Sequence, residues 1–409
     1  MIWKLKPVFT QLKIKHRIIG VLEGRYLRYF VGYFWIFMRF LRLKFPGLLI
    51  YRITFNTFIL KRIKSSWNNG DLLSIRLNTF EPEPLKVSQK YSHKRVALAL
   101  PSTAVRFGST MEGEMLFAYK NSLLAHGINP LVLDTSLQTY SVGTLKQKML
   151  TGLLEEKIEI LVFQGDSMLT GSSFLDNEFV RSARNHGIAI VVDLVDCFVT
   201  RGGQAIVDFY LDKADFIIFH NSRLELKSSH LERSLIWPSL PYPEKFFLER
   251  HVSKTEALLI PGSSHRGRIY FANYSEYIGL DWKSGLFSNS NSEAANFSYS
   301  EYVNSISRAR LLFTNGYKNR KESQVIGRVS ETMLANTTLL YESGSDIDFF
   351  FTPYQEYVPI FNLPDYAEKV RYLLKNPQIA QGIANRGLQR MLSSYSTSTF
   401  WNRIFQQVA

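Results

Sequence analysis

The sequence predicts an α/β protein of two doubly wound lobes facing each other across a cleft, preceded by a helical segment. Three observations carry this. From residue 94 onward, short apolar runs alternate with stretches long enough for a helix, the mark of βαβ units and parallel sheet. The alternation pauses once, at a connector over 237–256 that holds Pro238, Pro241 and Pro243. The net charge of +14 is also concentrated ahead of the first series: residues 1–70 hold 14 Lys/Arg and a single acid, Glu23. A chain of 409 residues is long enough for two α/β domains and an appendage. Its one cysteine, Cys197, rules out an internal disulfide and a cysteine-based zinc site, and fits a reducing compartment.

Taken in order, residues 1–64 read as two or three helices within a basic, aromatic segment that ends near residue 70. Residues 71–93 form a linker: Asn68, Asn69 and Gly70 signal a turn, and the Glu-Pro-Glu-Pro run at 81–84 is incompatible with regular helix. The first lobe spans 94–240. Its strands are expected at 96–100, 130–133, 158–163, 188–192 and 216–219, apolar enough to be buried on both faces. Helices are expected at 112–126, 176–186 and 203–212. The second lobe spans 241–409, with strands at 257–260, 309–314 and 338–341. Its helices fall at 300–308, 324–335, 365–375 and 377–392, and an amphipathic helix begins at Thr399. The predicted class is therefore two Rossmann-like lobes plus an N-terminal helical segment.

The N-terminal segment also carries 15 of the chain's aromatic residues. Rings lodge among lipid headgroups while Lys/Arg meets phosphate, so residues 1–64 suit an anionic membrane surface. The longest uncharged apolar run, 29–38, is ten residues, and a span needs about 20. The run also starts too late for a signal peptide, and no small-residue cleavage site follows it. A helical hairpin docked on the protein's own body or on a second copy is the alternative. A nucleic-acid arm is disfavoured by the aromatic content.

In doubly wound sheets, ligands sit outside the carboxyl ends of the strands. In the first lobe those ends carry Pro101, Gly165, Asp166, Asp193, Asp196 and His220. In the second, Gly262 and Ser263 follow a strand and lead into a helix, with Arg266 and Arg268 beside them, a composition suited to cradling phosphate. Asn315, Lys318 and Arg320 follow the strand ending at Thr314. Arg328 and Glu331 come next, three apart and hence neighbours on one helical face. A nucleoside-diphosphate sugar needs such groups: N–H donors and cations for the diphosphate, and a carboxylate for the ribose.

From about residue 297 to the end, the order of motifs resembles the C-terminal domain of CgeB-type (spore-maturation-protein-like) glycosyltransferases of the GT-B superfamily. The matching elements are Tyr302, the strand ending in Asn315, Arg328-Val-Ser-Glu331, and the strand at 338–342. The acidic residues at 346–348, Phe351-Thr-Pro353, Leu374-Lys-Asn-Pro377 and Ala384-Asn-Arg-Gly387 complete the order. The resemblance implies that Glu331 holds the donor ribose and that Arg328 and Asn315 line the donor pocket. Asn336 stands where related sequences carry Gly, a position Asn tolerates in left-handed geometry.

Other motifs carry less. Asp346-Ile-Asp348 has the form of a metal-binding Asp-x-Asp but falls in that acidic loop. His220 and His265 have no ligand at zinc spacing. Thr200-Arg-Gly-Gly203 lacks the rest of a P-loop. The expectation is a glycosyltransferase with no metal or other cofactor, using a nucleotide sugar as donor and a glycan or lipid-linked acceptor. Asp166 and Asp196 are the candidate bases. It would lie on the cytoplasmic face of the plasma membrane, with no nucleic-acid partner and with oligomerisation open. A non-catalytic carbohydrate- or partner-binding relative, or a sugar-nucleotide epimerase, are the alternatives.

Overall fold

The computed structural model describes residue 91 and residues 93–408, apart from 102, 107–108, 113, 136–141, 166–174, 195–202, 221–231, 264–267, 288–298, 317–324 and 344–345. The proposed membrane-surface segment and the linker up to residue 90 lie outside the described residues.

The first sheet has six strands in the order β4-β1-β5-β6-β7-β8: β1 (Val96–Leu100), β4 (Leu131–Asp134), β5 (Ile160–Gly165), β6 (Ala189–Leu194), β7 (Phe216–Phe219) and β8 (Ser234–Ile236). Every pairing is parallel. Among the described residues, the helices between them are α1 (Glu114–Ala125), α2 (Val142–Glu155), α3 (Asn177–Asn185) and α4 (Gly203–Leu211). The run VALAL of β1 is buried throughout because this strand has a neighbour on each side and helices on both faces. Helix α3 shows how local sequence sets an element. Asp176 caps its start by accepting from the Phe179 N–H, Phe179, Val180 and Ala183 face the core, and Gly187 at φ +73° turns the chain out. Three features of this lobe were not anticipated: the antiparallel hairpin of β2 (Thr103–Arg106) and β3 (Ser109–Glu112), helix α2, and the three-residue edge strand β8.

The second sheet has five strands in the order β10-β9-β11-β12-β13: β9 (Glu256–Ser263), β10 (Lys283–Phe287), β11 (Ala309–Thr314), β12 (Thr338–Glu342) and β13 (Val358–Ile360). Around them lie α5 (Glu244–Leu248), α6 (Arg268–Tyr277), α7 (Tyr299–Arg308), α8 (Gly327–Leu334), α9 (Ile347–Phe350), α10 (Leu363–Lys375), α11 (Pro377–Ser394) and α12 (Thr397–Val408). The sequence reading is corrected at two places. Residues 261–263 are not loop but the end of β9, paired in register with β10. Strand β10, Lys283–Phe287, is an element for which no strand was expected. Asn336 adopts φ +51°, the left-handed geometry expected of it.

In both sheets the first strand of the series lies between the second and the third. The order therefore reverses beside β1 in one lobe and beside β9 in the other. That reversal opens a crevice at the strand ends, the usual ligand site of such sheets. It puts the end of β9 (Gly262) next to the end of β11 (Asn315).

The chain returns to the first lobe at its end. Phe400, Trp401, Ile404 and Phe405 of α12 join Leu98, Leu123 and Ile218 in the core on one face of the first sheet. Trp401 Nε1 donates to Ser122 Oγ at 2.9 Å. The start of α12 is held by Glu244, whose carboxylate accepts from the backbone N–H and the hydroxyl of Thr397.

Candidate functional site

Two guanidinium groups converge on Gly262. A β-carbon on that residue would sit 2.6 Å from Arg328 Nη2 and 2.8 Å from Arg268 Nη1. Its φ of +104° is available to glycine and strained for other residues. The bare backbone lets both cations reach the strand end.

Arg268, the first residue of α6, is 4% exposed and held by Asn315, whose Oδ1 accepts from its Nε at 3.1 Å. Asn315 in turn donates from Nδ2 to Glu342 Oε2 at 3.1 Å. Arg328 sits in the first turn of α8, whose N-cap, Ile326, has no side chain able to cap the free N–H groups. The Nε of Arg328 is buried with no hydrogen-bond partner among the described residues, as are Thr314 Oγ1, Ser330 Oγ and Ser239 Oγ nearby in sequence or space. Burial alone works against the charge of Arg328, but Tyr302, Glu331 and Glu114 more than offset it and hold its pKa above the ordinary value. Concentrated cation, an uncapped helix N-terminus and unpaired donors together suit an anion such as a diphosphate.

Glu331, one turn further along α8, is 2% exposed, and both of its oxygens are engaged. Tyr299 donates to Oε1 at 2.8 Å and Tyr302 to Oε2 at 3.0 Å. It makes no salt bridge with Arg328, whose guanidinium turns to Gly262 instead. The expected shared helical face thus divides into a cation aimed at the strand end and a carboxyl closed in by tyrosines. A ribose would reach Glu331 only by displacing one of these hydroxyls. Burial and the charge of Glu114 push Glu331 up to about 7, against the opposing pull of Arg328 and the tyrosine hydroxyls.

Glu114, at the start of α1 in the first lobe, accepts a hydrogen bond from the Tyr242 hydroxyl of the connector. Helix α1 thereby meets α8 across the cleft. Deeper in the first lobe, Asp193 is fully buried and accepts from Tyr119 at 2.5 Å, with His220 Nε2 at 3.0 Å. Burial first and Asp193 second push the Tyr119 hydroxyl well above its ordinary value. His220 thus has a carboxylate partner in space that its sequence neighbours do not disclose. Among the described residues no group of three or more His, Cys, Asp or Glu is arranged as a metal site.

Of the residues singled out from sequence, Gly262, Arg268, Asn315 and Arg328 come together at the end of β9. Glu331 adjoins them from the far side of Arg328. Ser263 is the last residue of β9. Asp166, Asp196, Arg266, Lys318 and Arg320 lie outside the described residues. Sequence reasoning missed Glu114, Tyr242, Tyr299, Gly327 and Glu342. The one local signal was Glu114 as an acid opening a helix, which alone reads as a favourable helix-dipole contact.

Residues 246–406, less than half of the chain, match the profile of a family described as Glycosyl transferase-like. No curated protein matches the sequence. Among solved structures, the chain is similar to HepE of Anabaena in complex with UDP and glucose, with a TM-score of 0.52 and 10% identity, covering 77% of this chain and 99% of that one. HepE in complex with UDP-glucose gives a TM-score of 0.50 and 9% identity over 76% and 99%. A glycosyltransferase of Rickettsia africae gives 0.51 and 8% over 77% and 98%. At such identities the likeness is one of fold. The fold is GT-B: two α/β lobes, each with a parallel sheet.

Proposed function

We propose that this GT-B protein is a glycosyltransferase of CgeB type that moves a sugar from a nucleoside-diphosphate sugar to an acceptor. The donor diphosphate would sit at the end of β9, between Gly262 and Arg328 and over the N-terminus of α8. The carrying observation is the convergence of two guanidinium groups on a glycine at the switch point of the second sheet. Like charges so placed repel one another until an anion joins them. HepE, of the same fold, was solved with UDP-glucose and with UDP and glucose, which makes a uridine diphosphate sugar the first donor to try.

In this reading Arg328 offers bidentate donors to the β-phosphate and stabilises the negative charge that builds on the departing diphosphate. Arg268 supplies a second cation fixed by Asn315. Charge neutralisation falls to arginine rather than to a divalent metal. Glu331 holds Tyr299 and Tyr302 in place and borders the ribose. The acceptor, a glycan or lipid-linked sugar, would enter from the first lobe, where Asp166 and Asp196 follow β5 and β6 in the sequence and the Asp193–His220 pair is buried. Residues 1–64 would hold the enzyme on the anionic inner face of the plasma membrane, a reading supported by their charge and aromatic content.

The test is calorimetric titration of UDP, GDP, ADP and dTDP into the full chain, followed by transfer assays with sugar derivatives of the tightest binder. Binding of one diphosphate that depends on Arg328, with turnover of its sugar derivative, supports the reading. Absence of binding across the panel rejects it.

A further inference from the structure

We infer that Glu114 of the first lobe is a positioning residue for α8, holding Tyr242 against Gly327 at the start of that helix and sharing charge with Glu331 across the cleft. The inference rests on the reading of the Gly262–Arg328 site as the donor site, since α8 is the helix that presents Arg328.

The contacts form a continuous path. The Tyr242 hydroxyl donates to Glu114 Oε1 and lies over the first residue of α8. A β-carbon at Gly327 would be 2.6 Å from that hydroxyl and 3.4 Å from Glu114 Oε1. The Tyr242 ring stacks on Tyr299 with centroids 6.3 Å apart and planes 12° from parallel. Tyr299 then donates to Glu331. One turn along α1 from Glu114, Phe117 packs on Tyr299 at 4.8 Å and on Phe246 at 4.9 Å. A first-lobe helix therefore meets the start of α8 directly and reaches Glu331 through Tyr299.

The chemistry of the contact is unusual for a structural clasp. A neutral amide oxygen could also accept the Tyr242 hydrogen bond, though less strongly. A carboxylate instead sets a second negative charge against buried Glu331, an arrangement that disfavours ionisation of the pair together. The groups that face Glu331 are Tyr299 and Tyr302 of α7, Tyr242 ahead of α5, Glu114 of α1, and Arg328 on its own helix. Of the other charged groups on elements packed against α8, Glu244 is bonded to Thr397, Glu342 to Asn315, and Arg386 and Arg390 to the backbone of Gln355 and Phe350, while Lys245 of α5, Glu301 and Arg308 of α7 and Arg310 of β11 are exposed to solvent. His251 Nε2 donates to the carbonyl oxygen of Leu334, at the far end of α8. A bound diphosphate adds negative charge beside Arg328, so its arrival should favour the protonated Glu331 and draw in a proton.

The experiment uses the full chain with Glu114→Gln, Glu331→Gln, the double variant, and Tyr242→Phe as a second variant that keeps the ring stack. The first readout needs no ligand: melting temperature from pH 5 to 8.5. A carboxyl held above its ordinary range is protonated more readily in the fold than in the unfolded chain. Its ionisation therefore withdraws stability as pH rises from its ordinary range towards about 7. Glu114→Gln should relieve that loss, so its melting temperature should gain on wild type as pH rises. In the Glu331→Gln background the gain should not vary with pH. A pH-independent effect in both backgrounds overturns the inference.

The second readout is proton uptake on binding UDP near pH 7, from calorimetry in buffers of different ionisation enthalpy. Uptake should be clear in wild type and smaller in Glu114→Gln, and Tyr242→Phe should bind UDP several-fold more weakly. Arg328-dependent binding with the same proton uptake in wild type and Glu114→Gln sinks the inference and leaves the donor reading intact. The expected melting behaviour with no diphosphate binding sinks the donor reading and leaves the interlobe contact standing.

Discussion

Arg328 packs its guanidinium against Gly262, so closely that a β-carbon on residue 262 would lie 2.6 Å from Nη2 and 2.7 Å from Cζ. The two residues sit on elements that begin and end at the same crevice, and the missing side chain of one makes room for the charge of the other. Gly262→Ala should therefore act on ligand binding and on the fold together. The backbone at φ +104° would cost about 1–3 kcal/mol of stability in a residue with a side chain. The displaced Arg328 should lower diphosphate affinity more than tenfold. Denaturant unfolding and calorimetry on one sample separate the two effects, and an unchanged affinity would place the anion elsewhere.

Much of the fold was legible because its central strands are uninterrupted apolar runs. VALAL at 96–100 admits few readings other than a strand buried on both faces, and β6 and β7 are similar. The misreading at β9 has a definite cause. Pro261 and Gly262 are strong punctuation, yet the strand continues through them. Pairing between β9 and β11 ends at Leu259 and Leu312, whereas pairing with β10 continues to Ser263. Beyond Leu259 the strand is an edge, where a proline without an N–H is tolerated. The short strand β8 and the polar start of β10 carry too little periodicity to be seen.

The site was half legible for a related reason. Arg328, Asn315 and Gly262 announce themselves at strand ends, where a local pattern meets a topological rule. Glu114 and Tyr242 lie 128 residues apart in sequence and meet only through the closure of two lobes. The enclosure of Glu331 by Tyr299 and Tyr302 likewise depends on how α7 packs on α8, which no spacing in the sequence encodes.

The return of α12 to the first lobe gives a stability prediction. Trp401 is fully buried, packs edge-on to Tyr119 at 5.9 Å and stacks on Phe405 at 5.5 Å. Trp401→Ala should cost about 3–5 kcal/mol in denaturant unfolding. Trp401→Phe, which keeps most of the packing and loses the bond to Ser122, should cost less. Equal and small losses for both would mean that α12 is not part of the first lobe's core.

The basic N-terminal segment makes a prediction independent of the proposed donor site. Full-length protein should sediment with vesicles containing anionic lipid, each Lys/Arg near the surface contributing about 1 kcal/mol. High salt should remove part of the binding and leave the apolar contribution of rings such as Trp35 and Phe37. Replacing Lys61, Arg62 and Lys64 with Gln should weaken sedimentation and leave diphosphate binding unchanged. A full chain that ignores such vesicles and forms dimers in solution would favour docking between copies instead.

The central claim is that Arg328 binds the diphosphate of a sugar nucleotide, and calorimetric titration of UDP into wild type and Arg328→Ala tests it most directly. Loss of a charged hydrogen-bond donor is expected to cost about 1.5–3 kcal/mol, a weakening of roughly ten- to 150-fold. Arg328→Lys, which keeps the charge but not the fork, should fall between the two. A correctly folded Arg328→Ala variant that binds UDP as tightly as wild type would contradict the account.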